Sequence, residues 1–161
     1  MRLQDYDYNQ NGTYFLTICS DNRRCIFSDI VGAIHESPNV KLTEYGKIVE
    51  STISQMSNKY GIIIEKYVIM PNHIHLLLSI SNGQRAIHES PLQGRSVISK
   101  AVGFLKMNVS KEIHKIHPDD RVWQRSFYDH IIRNHKDFEY IYQYINENPL
   151  RWKLDELYMP Y

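Results

Sequence analysis

The segment IIIEKYVIMPNHIHLLLSI, Ile62–Ile80, constrains the fold of this chain more than any other. Two runs rich in β-branched and aliphatic residues, Ile62–Met70 and His73–Ile80, are separated only by Pro71-Asn72, a turn pair, so they read as the strands of a hairpin. Side chains alternate across a strand, which sends Ile74, Leu76 and Leu78 to one face and His73 and His75 to the other. The apolar face has to be covered. The two imidazoles stand side by side on the opposite face, where one divalent cation could bind both; a His-x-His by itself is also what two ligand-free strand histidines look like.

Other elements supply the cover. GTYFLTICS, Gly12–Ser20, follows the turn signal NQNG and reads as a further strand, and the polar stretch after it reads as irregular. Tyr45, Ile48, Val49, Ile53, Met56 and Tyr60 recur at three- and four-residue steps and predict an amphipathic helix over Thr43–Tyr60. Val97, Ala101, Phe104, Leu105, Val109 and Ile113 predict a second from about Ser96 to Ile116. VWQRSFYDHIIR, Val122–Arg133, reads as a strand region, and KDFEYIYQYINEN, Lys136–Asn148, as a third helix stopped by Pro149. Strand, helix, hairpin, helix, strand and final helix is the order of a ferredoxin-like (RRM-like) α+β sandwich with one extra helix. The first two helices then cover one face of an antiparallel sheet, leaving the other for a site or for the last helix. Residues 1–161 read as a single domain, with loop insertions near 30–40 and 82–95.

Composition narrows the partners. A formal net charge of +1 gives no global basic field, so a nucleic acid would have to be held by a local patch. Cys19 and Cys25 match no zinc spacing and are too few for a disulfide framework. The polar N-terminus lacks a signal-peptide core and the longest apolar runs, such as LLLSI, are too short to span a bilayer, so a cytoplasmic protein is expected.

The last helix offers a second group of candidates. At about 100° per residue, Phe138, Ile141, Tyr142 and Ile145 form one stripe, read as the core face, while Tyr140, Tyr144 and Asn148 lie four apart on another. Packing then accounts for Tyr142 and leaves Tyr144 unexplained. Asn148, one turn beyond Tyr144, is either a metal ligand through its amide oxygen or a cap before Pro149.

Together YVIMPNHIHLLLS, VWQRSFYDHIIRN and YIYQYINENPLRW resemble the single-tyrosine HUH transposases (histidine, hydrophobic residue, histidine), specifically the REP-associated tyrosine transposase branch. The resemblance runs over roughly Gly12–Trp152 and implies a ferredoxin-like sheet with the nucleophile on a late helix. It implies that His73 and His75 are the HUH pair, Tyr144 the nucleophile and Asn148 the third metal ligand, a position where insertion-sequence relatives often carry Gln. The implied activity is that of a metal-dependent single-stranded DNA endonuclease and strand transferase, a transposase acting beside hairpin (REP-like) DNA through a covalent 5′-phosphotyrosine. The implied cofactor is one divalent ion, Mg2+ or Mn2+. The implied partner is single-stranded or hairpin DNA, with a monomer favoured over a homodimer.

These residue types suit that chemistry. A tyrosine is almost wholly protonated at neutral pH, its ordinary pKa being about 10, so a cation has to screen the charge that develops as it attacks a phosphate. Three neutral ligands would leave positions open for phosphate oxygens. Between Arg95 and Lys115 the basic residues Arg95, Lys100, Lys106, Lys111 and Lys115 face one acid, Glu112, while Arg125, Arg133 and Arg151 flank the candidate site. Lys100, Lys106, Arg125, Arg133 and Arg151 are the candidate DNA-binding residues. Trp123, Phe127 and Tyr128 are candidates for stacking on bases, with core packing expected for at least two of them. Two other readings share the fold: a non-catalytic nucleic-acid-binding module of the RNA-recognition type, and a domesticated hairpin binder.

The hexapeptide AIHESP occurs twice, at Ala33–Pro38 and Ala86–Pro91, each time after a strand and ahead of a helix, with unrelated flanks. It can be encoded as gcg-att-cac-gaa-tcg-cc, in which gcgattc and gaatcgc are reverse complements. The two copies are therefore read as short palindromic DNA elements inserted in frame at loops that tolerate insertion.

Overall fold

The structure, a computed structural model, describes residues 11–32, 39–81 and 96–160. The hairpin forms as its sequence requires: β4 (Ile62–Ile69) pairs with β5 (His73–Ile80), Ile62 opposite Ile80 and Ile69 opposite Ile74. β1 (Gly12–Cys19) pairs antiparallel with the other edge of β5, placing Thr17 opposite His75 and Cys19 opposite His73. β6 (Tyr128–Ile132) pairs antiparallel with β1, which completes a four-stranded sheet in the order β4-β5-β1-β6. This is the ferredoxin-like arrangement expected from the element order.

Alternation then sorts the faces. Ile74, Leu76 and Leu78 from β5 and Tyr14, Leu16 and Ile18 from β1 are fully buried beneath α1 (Glu44–Tyr60) and α2 (Val97–His114). Burying a side chain of this size contributes roughly 1.5–3 kcal/mol, so this layer dominates the cohesion of the fold. α1 begins where the Thr43 hydroxyl accepts the Gly46 N–H and ends at Gly61, whose φ of 61° is left-handed. A Cβ at Gly46 would overlap the Phe27 carbonyl, so the first turn of α1 can pass there only as glycine.

On the other face α3 (His135–Glu147) lays Ile141 and Ile145 over Leu77, with Phe15, Val68, Ile132 and Phe138 filling the margins. The Asn134 amide oxygen caps α3 by accepting the Asp137 N–H at 3.0 Å. An RNA-recognition module leaves this sheet face open to stacked bases; here α3 covers much of it.

Three expectations are corrected. The polar stretch after β1 is not irregular throughout, since β2 (Ser28–Val31) and β3 (Asn39–Leu42) form an antiparallel ribbon. Four-residue strands with alternate positions exposed carry too little apolar pattern to be read from sequence. Of Val122–Arg133, only Tyr128–Ile132 is a strand. The residues before it are pinned instead by a Ser20–Trp123 bridge, by the Lys106 ammonium on the carbonyls of Gln124 and Ser126 (2.7 and 2.8 Å) and by the Trp123 indole N–H on the Lys106 carbonyl (3.2 Å). Third, Tyr142 is not a core residue. It is 41% exposed, stacked on Phe138 with ring centroids 6.1 Å apart, and the Lys66 ammonium lies 5.0 Å from its ring. Ile141 and Ile145 suffice to cover Leu77, and Tyr142 is left at the edge. Trp123 and Phe127 pack on the core as expected, and Tyr128 is 66% exposed.

Both AIHESP copies and Arg95 lie outside the described residues, as do most of the expected insertions near 30–40 and 82–95. Among the described residues no helix is long and apolar enough to cross a membrane.

Candidate active site

Pairing across the sheet fixes the two histidines before any ligand is considered. Both are buried on the α3 face of β5, and their Nε2 atoms lie 3.1 Å apart. Asn72 orients His73. Its Nδ2 donates to the carbonyls of Leu157 (2.7 Å) and Arg23 (3.3 Å), so its Oδ1 faces His73 Nδ1 at 2.8 Å. An amide oxygen only accepts, so His73 carries its proton on Nδ1 and presents a lone pair at Nε2. Thr17, opposite His75 in the sheet, puts its hydroxyl 2.9 Å from His75 Nδ1. A hydroxyl can donate or accept, so it serves either tautomer of His75, including the one with a free Nε2 lone pair.

Burial keeps both rings neutral. It lowers His73 to about 3, with the Asn148 side chain pulling the other way and the Arg23 charge adding to the drop. It lowers His75 well below the ordinary histidine value, reinforced by His73 and opposed by Asp155 and the Leu16 backbone. The two neutral Nε2 atoms are close enough either to hydrogen-bond to one another or to share one cation.

Tyr144 reaches the same place from α3. Its ring centroid lies 5.4 Å from that of His75 and 6.1 Å, edge-on, from that of Phe15. The phenol is pushed up to about 12, by burial first and then by the negative charge of Asp155, with the Asn148 side chain working in the opposite direction. Tyr140, one turn earlier, is 69% exposed. One turn beyond Tyr144, Asn148 lines the same cavity as that residue. It ends α3, yet it is buried, and its Nδ2 donates to Asp155 Oδ2 at 3.0 Å while its Oδ1 has no hydrogen-bond partner among the described residues. A buried amide oxygen without a donor is costly unless a cation or other donor meets it, so the residues present fit a divalent ion.

The structure adds Asp155, absent from the sequence-based candidates. His73, His75 and Asp155 each offer a ligand atom within 4.8 Å of the others, a group that could hold a metal ion. Asp155 follows the 3-10 turn Trp152–Leu154, where no repeating pattern ties it to the histidines. Arg23 was missed likewise; it lines the cavity of about 680 Å3 that also takes in His75, Tyr144, Asn148 and Asp155. Of the five basic candidates only Arg151 lines that cavity, and it pairs with Glu147 at 2.9 Å. Lys106 has its ammonium on two backbone carbonyls and is lowered by burial to about 8. Arg125 and Arg133 are exposed outside the cavity lining, and Lys100 sits half-buried on α2.

The family described as "Transposase IS200 like" matches residues 10–148, a span that carries His73, His75, Tyr144 and Asn148 together. The chain belongs to the IS200-like transposase family. This IS200-like transposase is 32% identical over 170 residues to an uncharacterised protein of Haemophilus influenzae, covering 99% of this chain and 92% of the relative. It is 22% identical over 144 residues to a REP-associated tyrosine transposase of Escherichia coli K12, covering 89% and 70% of the two chains. Its fold resembles the solved structure of a REP-associated tyrosine transposase bound to a REP hairpin, with a TM-score of 0.63 at 20% identity, over 94% of this chain and 74% of that one. The IS200-like transposase is thus an enzyme on the REP-associated tyrosine branch.

Proposed function

We propose that this transposase, acting as a single domain, cuts and rejoins single-stranded DNA beside hairpins, with Tyr144 as nucleophile and His73, His75 and Asn148 holding one divalent cation, Mg2+ or Mn2+. The observation that carries the reading is the meeting of four side chains from two elements: two neutral imidazoles of β5 with converging Nε2 atoms, the Tyr144 ring against His75, and the buried Asn148 oxygen one turn further along α3. When bound, the cation polarises a phosphoryl oxygen and screens the charge on the attacking phenol.

The remaining steps belong to the chain. Tyr144 Oη bonds to the scissile phosphorus as the phenol proton leaves; the P–O3′ bond breaks, and the 3′ oxygen takes up a proton. The bond energy is retained in the 5′-phosphotyrosine, so a 3′ hydroxyl from another strand can reverse the step. Asn72 and Thr17 hold the imidazoles in place, and Phe15 fixes the Tyr144 ring edge-on. The hairpin preference is supported by the relative solved on a REP hairpin.

The test is cleavage of labelled, hairpin-bearing single-stranded DNA with Mn2+ or Mg2+. A protein–DNA adduct that survives denaturation should form with the wild type and vanish in Tyr144→Phe. An adduct that persists there but is lost in Tyr140→Phe would move the nucleophile one turn back. Tight binding with no adduct would leave a hairpin binder.

A further inference from the structure

The turn that follows β1 holds two consecutive non-glycine residues in the left-handed region, Asn22 at φ 52° and Arg23 at φ 54°. L-residues avoid this region because Cβ crowds the backbone, and such strain persists only where the surroundings over-determine it. They do so here. Asp21 N–H donates to the Val122 carbonyl (2.9 Å), Ser20 N–H to the Asn72 carbonyl (2.9 Å), and the Ser20 hydroxyl to the Arg24 carbonyl (2.7 Å). Asn72 Nδ2 donates to the Arg23 carbonyl itself, and Arg24 is tied to Asp120 at 2.7 Å. The turn is thus clamped on both sides by the segments that flank the candidate active site, and one clamp, Asn72, is the residue that orients His73.

The result is an arginine on the cavity wall, where Asp155 and Glu156 also lie, that forms no ion pair among the described residues. Arg24 is paired with Asp120 and Arg151 with Glu147, whereas the Arg23 guanidinium has no carboxylate partner among the described residues. It lines the same cavity as His75 and Tyr144. A guanidinium presents a planar fork of donors that matches phosphate oxygens.

Resting on the reading that Tyr144 attacks a phosphodiester, we propose that Arg23 is a phosphate-binding residue of the active site, contacting the DNA backbone at or next to the scissile phosphate. The strained turn exists to present it: a relaxed turn would carry the side chain elsewhere, and its backbone is tied to His73 through Asn72.

The position allows a clean deletion. Glycine is at ease at positive φ, so Arg23→Gly removes the guanidinium while relieving the backbone and should fold at least as stably as the wild type, read as an unchanged or raised Tm. The probe is a fluorescent pool of single strands, each a fixed hairpin with randomised flanks, titrated by anisotropy in a Tyr144→Phe background across a salt series. Arg23→Gly should bind about tenfold more weakly at low salt, and the slope of log Kd against log salt should shrink by about 0.7, the value for one phosphate contact on a single strand. Arg23→Lys should keep the slope. Wild-type affinity and slope in Arg23→Gly would overturn the assignment while leaving the Tyr144 reading intact. No binding of the pool by the Tyr144→Phe parent, with no adduct from the wild type, would overturn both.

Discussion

At the residue scale, His73 and His75 carry the clearest linkage to pH. Burial holds His73 at about 3 and His75 well below the ordinary histidine value, so over that window the unfolded chain binds protons that the folded chain refuses. Stability therefore rises with pH up to about 6.5 and is lost on acidification toward 3. In metal-free buffer the Tm should fall steadily from pH 7 to pH 4.5, and His73→Gln should flatten that slope. Thr17 gives a second test. Thr17→Val removes the hydroxyl from His75 Nδ1 at nearly constant volume, and Mn2+ affinity measured by calorimetry should drop about 10-fold or more, with Thr17→Ser close to wild type. An unchanged affinity in Thr17→Val would mean that the sheet alone orients His75.

At the element scale, α1 is fixed at its start by two residues doing different jobs. The Thr43 hydroxyl accepts the Gly46 N–H at 3.1 Å and also lies 2.6 Å from the Ile26 carbonyl, joining helix to loop. Thr43→Ala should cost about 1–2 kcal/mol in urea unfolding, the ordinary worth of such a cap. Gly46→Ala should cost more, about 3 kcal/mol, because the new methyl meets backbone oxygen that cannot move aside cheaply. The reverse order of these two effects would mean that the Phe27 loop yields easily. The elements themselves were legible to the degree that their apolar period was strong. α1, α2 and the β4–β5 hairpin follow from spacing alone. The β2–β3 ribbon and the pinned segment before β6 do not, because side-chain hydrogen bonds and a partner strand, rather than periodicity, hold them.

At the scale of the whole molecule, the candidate site is closed by the chain beyond α3. Asn72 reaches Leu157 and Arg23, Asn148 reaches Asp155, and Trp152 stands beside His73 with ring centroids 6.0 Å apart. Asp155→Asn keeps the size of the side chain and removes its charge. Mn2+ affinity should fall about tenfold or more, since hard cations favour carboxylate oxygen, while the Tm should change little. Equal affinity would leave Asp155 as no more than a hydrogen-bond partner of Asn148. The hairpin, the common face of His73 and His75, and the i, i+4 relation of Tyr144 to Asn148 are written in the order of residues, because a strand repeats every two residues and a helix every 3.6. That these pairs meet, that Arg23 and Asp155 join them, and that Lys106 is spent on bracing a loop emerges only once the chain is folded. Those facts depend on contacts between segments distant in the chain, which no local period records.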